Sequence, residues 1–339
     1  MTMQKSVKCL RKKDHNNPLI GEDSMQKTAG IHHISAMVND AQKNIDFYAS
    51  ILGLRMVKKT INFDRPEVYH LYFGNEAGTP GTVITFFPWE KQLKGRIGTG
   101  QVGVTSYVIP HGTSEFWKNR LHRHGVKVES VIRFDENYLQ FVDPDELQIE
   151  LVERKDGPIN NWAIGDINPS VAIKGFGGAT LNSAQPSKTA EVLENILGLK
   201  YVGEDTGYLR FSTEAQIGNV IDIKLTPSVR GLMGAGTVHH IAWRARDMEE
   251  LQQWRLSLLE KGYYPTEIKD RNYFKALYFH EEGGILFEIA TDGPGFAVDE
   301  PVSNLGEKLM LPEWLEEKRE ELTAALPNVN VRILEEEKE

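Results

Sequence analysis

Cysteine is almost absent: Cys9 is the only one in 339 residues. A disulfide framework within the chain is excluded, and so is a thiolate-rich zinc or iron–sulfur site. One thiol fits a reducing compartment, so a cytoplasmic location is expected. No apolar run reaches the ~18 residues of a membrane span, so no membrane partner is expected. Positive charge is in deficit, with 39 Lys and Arg against 48 Asp and Glu, a net −9. A nucleic-acid surface wants a basic stripe, and none is expected here. The first residues lack the apolar core of a signal peptide. Residues 1–26 read as a disordered arm, and Met25 is a candidate alternative start. What is present, 40% hydrophobic and 26% charged, describes a globular chain with a sizeable core.

Internal repeats organise the chain. Residues 31–38 read as a strand, Asp40 as an N-cap, 41–51 as a helix and Gly53 as its stop. Residues 176–202 repeat this plan, matching Ile51-Leu52-Gly53-Leu54 to Ile196-Leu197-Gly198-Leu199 at an offset of 145. A second pair spans 102–152 and 238–290, with helices expected near 116–124 and 248–261. It aligns Glu150 with Glu288 at an offset of 138. The plan is strand–helix–strand–strand–strand, four times, an α+β chain of four βαβββ modules forming two paired curved mixed sheets. The Gly/Asn/Pro-rich segment 156–169 reads as a linker. The expected divisions are an N-terminal pair of modules (27–160), a C-terminal pair (170–300), and a helix near 312–322 with an acidic tail (301–339).

With thiols excluded, histidines and carboxylates are the available metal ligands. His32-His33 and His239-His240 each open a first strand, in the first and fourth modules. Neighbours on a strand point to opposite faces, so each pair should turn one imidazole inward. Glu288 sits in an otherwise apolar strand, Ile285-Leu286-Phe287-Glu288-Ile289-Ala290, where a carboxylate needs a cation or a donor. Two imidazoles and one carboxylate form a face that leaves coordination positions open and suits Fe(II); Mn, Zn, Co or Ni would also be accepted. Carried across the repeats, the His33 position falls on Gly178 and the His240 position near Val102. Modules two and three lack the imidazoles, Glu150 reads as an ordinary strand residue, and one metal site is expected, joining modules one and four. The bland alternatives are histidines satisfied in the core and a Glu288 paired with an arginine.

The segments IHHIS, GLRMVKKTINFD, YHLYFGNEAGTPGTVITFFP, VIDI, HHIA, DRNYF and GGILFE followed by GPGF carry a resemblance. Over about residues 29–296 the chain resembles the vicinal-oxygen-chelate (glyoxalase/bleomycin-resistance/extradiol dioxygenase) superfamily. Within it the likeness is to the para-hydroquinone (chlorohydroquinone) 1,2-dioxygenases. HHI is shared by the whole superfamily; the longer segments are more specific. The resemblance implies Fe(II) held by His33, His240 and Glu288, with His32, Ser35, His239, Arg271 and Tyr278 supporting the ligands or facing substrate. Ser35 stands where the family has Thr, keeping the hydroxyl, and the loop before Arg271 is shorter. A small aromatic diol and O2 are the implied partners, in catabolism or detoxification of quinone-forming aromatics. A homo-oligomer is left open. For the residues themselves, Arg271 can offer fixed donors to an oxyanion, and a His or Tyr within reach can carry a phenol proton. Arg271 could instead pair with Asp270, and Tyr278 could be core.

Two other functions compete. A glyoxalase-type lyase uses two His and two carboxylates, the fourth ligand coming from the last strand of module one. Residues 82–87 contain no carboxylate, and Glu90 lies beyond Pro88. Extradiol catechol dioxygenases draw ligands from modules three and four, where this chain has Gly178. A non-catalytic aromatic-binding resistance protein of the same fold would not need a complete ligand face.

Overall fold

A computed structural model describes residues 26–89 and 93–334. Cys9, Met25, Glu90, most of the expected arm and the last acidic residues lie outside them. The expected plan recurs four times, and its strands form two eight-stranded mixed sheets.

Module one comprises β1 (Ile31–Val38), a helix, β2 (Arg55–Asn62), β3 (Arg65–Gly74) and β4 (Val83–Pro88). Every residue of β1 is buried because it is a central strand, paired antiparallel on one side and parallel on the other. The helix starts where Asp40 Oδ1 accepts from the Lys43 amide at 2.9 Å. Ala41–Ile45 is α-helical, and Asp46–Ile51 is wound as π-helix rather than continuing as α. Module two comprises β5 (Gln101–Ile109), α2 (Ser114–Arg123), β6 (Glu129–Arg133), β7 (Glu136–Val142) and β8 (Gln148–Glu153). Module three runs from β9 (Gly175–Asn182) through α3 (Pro186–Asn195) to β12 (Val220–Lys224). Module four runs from β13 (Thr237–Ala245) through α4 (Met248–Glu260) to the short β14 (Lys269–Asp270), β15 (Phe274–His280) and β16 (Leu286–Pro294).

The sheets group these modules across the linker. One has the order β14-β15-β16-β13-β1-β4-β3-β2, joining modules one and four. The other joins modules two and three through β9 and β5. The division into 27–160 and 170–300 follows chain order, and each of those halves contributes one module to each sheet. The linker itself is packed: Asn160 and Ile167 are buried, and Asn160 donates to the Ile173 carbonyl at 3.0 Å.

A pseudo-two-fold axis crosses the β1–β13 pair at Ile34 and Ile241, with His33 opposite Ala242 and Ser35 opposite His240. It relates His33 to His240 and Ser35 to Ala242. Ser35 pairs with Thr85 on β4, and Ala242 pairs with Glu288 on β16. Thr85 is therefore the mate of Glu288. Tyr72 pairs with Thr85 and Tyr278 with Glu288, so these two tyrosines are mates as well.

In the second sheet Ser106 pairs with Glu150 and with Gly178. The counterpart of His240 is thus Val104, two residues beyond the expected Val102. Gly178 has φ +152, and a Cβ there would lie 2.1 Å from the Val220 carbonyl oxygen. No imidazole fits at this position without moving β12. Glu150 is not an ordinary strand residue: Arg133 binds both of its oxygens, at 2.9 and 2.5 Å. Arg133 also donates to Asp222 at 2.9 Å, so a guanidinium sits among carboxylates in this concavity.

The C-terminal segment differs from the single helix expected over 312–322. It forms a 3-10 turn, Glu313–Lys318, and then a helix, Arg319–Ala325. Leu309 bridges to Lys59, covering the edge of β2, and Trp314 packs on Phe63 with ring centroids 5.7 Å apart.

Candidate metal centre

His33 and His240 project from β1 and β13 and Glu288 from β16, all into the concavity of the first sheet. All three are buried, Glu288 completely. His33 Nε2 lies 3.3 Å from His240 Nε2 and 3.4 Å from Glu288 Oε2, and His240 Nε2 lies 2.7 Å from Glu288 Oε2. Ligands ~2.1 Å from one ion and 90° apart would be ~3.0 Å from each other, in the middle of this range.

Hydrogen bonding prepares the imidazoles for a cation. His32 Nε2 is 3.0 Å from the Thr291 carbonyl, which can only accept, so His32 carries its proton there. Burial, with His33 alongside, pushes His32 down to about 3, so the ring is neutral and its Nδ1 is bare. His33 Nδ1, 2.9 Å away, must donate to it. That leaves His33 Nε2 bare toward the centre. His239 and His240 repeat the contact, Nδ1 to Nδ1 at 2.7 Å, and burial pushes His239 down to about 3. Neither oxygen of Glu288 receives a properly directed hydrogen bond, short as the 2.7 Å approach is. Burial pushes the Glu288 carboxyl up, but His33 and His240 outweigh it and hold the carboxyl well below its usual range. That pull requires protonated imidazoles, and burial drives His240 toward its neutral form. A bound dication supplies the missing positive charge without protons. The donor set fits one.

The His32 arrangement has a consequence for stability. Its folded pKa lies below its unfolded value, so unfolding takes up a proton and stability falls as pH drops from about 6.5 toward 3. In the metal-free protein, His32→Asn should remove up to about 1.4 kcal/mol per pH unit of this slope. Denaturant titrations between pH 7 and 4 measure it. Identical slopes in the two proteins would contradict a neutral, buried His32.

A cavity of about 260 Å³ opens beside the three candidate ligands. Its wall includes Ser35, His239, Arg271 and Tyr278, and it is otherwise rich in aromatic surface from Phe63, Phe87, Trp89 and Phe274. His32 is not in the wall; it stands behind His33. Arg271 Nε donates to Tyr278 Oη at 3.1 Å and Nη1 to Asp64 at 3.3 Å across the mouth. Asp270, the alternative partner, is taken by Lys275 at 2.5 Å. Burial raises the Tyr278 phenol well above its usual range, keeping its proton. The wall also contains His70 and Tyr72, which sequence reasoning passed over. A signal existed: Leu71-Tyr72-Phe73 repeats as Leu277-Tyr278-Phe279. A larger cleft of about 700 Å³, near Lys27, Lys200 and Arg244, holds no converging ligand set.

Thr85 stands where a fourth ligand would be expected. It is the mate of Glu288, the place from which a second carboxylate would reach the ion, and it offers a hydroxyl already hydrogen-bonded to Ser35 at 2.7 Å.

The comparisons agree with this architecture. The Glyoxalase/Bleomycin resistance protein/Dioxygenase superfamily matches residues 30–151 and 175–289. The chain is 56% identical over 310 residues to MhqO of Bacillus subtilis (strain 168), whose name designates a ring-cleaving dioxygenase; 91% of this chain and 99% of that one are covered. It is 34% identical over 308 residues to the chlorohydroquinone/hydroquinone 1,2-dioxygenase of Sphingobium indicum, covering 88% of this chain and 95% of the other. A crystal structure from Bacillus subtilis subsp. subtilis str. 168, named as a dioxygenase, superposes with a TM-score of 0.90 at 56% identity, covering 91% of this chain and 100% of that one. With the paired curved sheets and the metal-fitting cluster, these matches place the chain in the Glyoxalase/Bleomycin resistance protein/Dioxygenase superfamily, among relatives named as ring-cleaving dioxygenases.

Proposed function

We propose that this chain is an Fe(II)-dependent ring-cleaving dioxygenase that opens hydroquinone-type rings with O2, with His33, His240 and Glu288 holding the metal. The supporting observation is the three-ligand face itself: two bare Nε2 atoms and a donorless buried carboxylate converge, while Thr85 leaves the fourth position without a charged ligand. When bound, Fe(II) supplies redox chemistry and the coordination positions that such a face leaves open.

The protein's own groups do the rest. The cavity is sized for one aromatic ring with small substituents, and aromatic side chains supply much of its wall. Arg271, fixed by Tyr278 and Asp64, presents guanidinium donors to negative charge developing on oxygen. Tyr278 keeps its proton and acts as a donor. His239, neutral and accepting from His240 at Nδ1, carries its proton on Nε2, which has no partner among the described residues and offers a substrate oxygen a hydrogen-bond donor.

Anaerobic loading with Fe(II), followed by oxygen-electrode measurement with hydroquinone, tests the proposal. One O2 should be consumed per ring opened. Turnover of the methylglyoxal–glutathione adduct without oxygen uptake would overturn it in favour of a lyase.

A further inference from the structure

Four polar side chains, Tyr72, His70, Thr85 and Ser35, form an unbroken line along one wall of the cavity. Tyr72 Oη is 2.8 Å from His70 Nδ1, and His70 Nε2 is 2.9 Å from Thr85 Oγ1. Thr85 Oγ1 is 2.7 Å from Ser35 Oγ, which faces the cavity beside the metal ligands. Tyr72, Thr85 and Ser35 are all buried. The His70 ring is clamped by Tyr72 and Phe87, with centroids 4.0 and 4.4 Å away.

The line can be polarised in two ways. If His70 donates to Tyr72, the free hydrogen of the line lies on Tyr72; if Tyr72 donates to Nδ1, His70 Nε2–H to Thr85 and Thr85 to Ser35, it lies on Ser35, next to His33. A substrate oxygen held beside the ligands selects the second direction, because only there does Ser35 have a hydrogen to offer it. We propose that His70 is a positioning residue of this site, holding Ser35 through Thr85 as a hydrogen-bond donor to a substrate oxygen. Tyr72 is the pseudo-symmetric mate of Tyr278, so the cavity has one donor arm from each module: Arg271–Tyr278 from the fourth, and this relay from the first. Burial keeps the Tyr72 phenol protonated and the His70 imidazole neutral, so the line works by orientation and carries no charge.

The proposal rests on the dioxygenase reading, and its test separates the two. His70→Leu, His70→Gln and Thr85→Val are compared with wild type for Fe(II) content, anaerobic calorimetric affinity for hydroquinone, and turnover. His70→Leu and Thr85→Val should bind metal normally but lose about tenfold in hydroquinone affinity, the worth of one oriented hydrogen bond. His70→Gln can still donate to Thr85 and should stay within about threefold of wild type. The near-isosteric Thr85→Val keeps the test decisive if His70→Leu folds poorly. Unchanged affinity and turnover in Thr85→Val, with an active wild type, would overturn the relay alone. A wild type that neither binds hydroquinone nor consumes O2 with it would overturn both readings.

Discussion

Glu288→Gln is expected to abolish iron retention and ring opening together. The amide keeps the shape but loses the charge, and it places an N–H among imidazole nitrogens whose lone pairs face the centre. Losing one partner of a buried charge cluster costs about 3–5 kcal/mol, so metal affinity should fall by roughly 10²–10⁴-fold. In the metal-free proteins His33 and His240 still hold the buried wild-type carboxylate below its usual range, which stabilises the fold at neutral pH, so Glu288→Gln should lower the unfolding midpoint there as well. Metal analysis after dialysis and a denaturant melt read the two effects separately. A variant that keeps its iron and turns over normally would remove Glu288 from the ligand set.

Cutting the chain at the exposed residues 158–159 should be as damaging. Each half holds one module of each sheet: β1 is parted from β13, and β5 from β9. The central strands would expose unpaired edges and apolar faces, and His33 would be separated from His240 and Glu288. Neither half made alone should unfold cooperatively or bind iron. Co-expressed halves should reassemble with metal binding restored, because the broken connection lies outside both sheets. Iron binding by the isolated second half would show that His33 is not a ligand.

These expectations depend on features that were unequally legible in the sequence. The modules could be read because their strand–helix–strand spacing recurs and Ile-Leu-Gly-Leu marks the same turn twice. The three candidate ligands stood out because His-His pairs open equivalent strands and a carboxylate interrupts an apolar run. Sheet partnership was harder: strand pairing between distant modules leaves no local trace, and only the need to join His33 to Glu288 pointed across the linker. Glu150 was misread because its partner, Arg133, lies in a different strand and looks like a surface residue in one dimension. His70, Tyr72 and Thr85 look like ordinary strand residues until the sheet curls and places them end to end. The break between 3-10 turn and helix at residues 313–325 follows from contact of Trp314 with Phe63 and of Leu322 with the core, which charge patterning does not encode.

The central claim is that this site inserts oxygen into an aromatic ring. Isotope labelling tests it most directly. Protein loaded anaerobically with Fe(II) is mixed with hydroquinone and 18O2, and the product is analysed by mass spectrometry. The account predicts a ring-opened product carrying two labelled oxygens. Hydroquinone converted only to quinone, with no label incorporated, would contradict it.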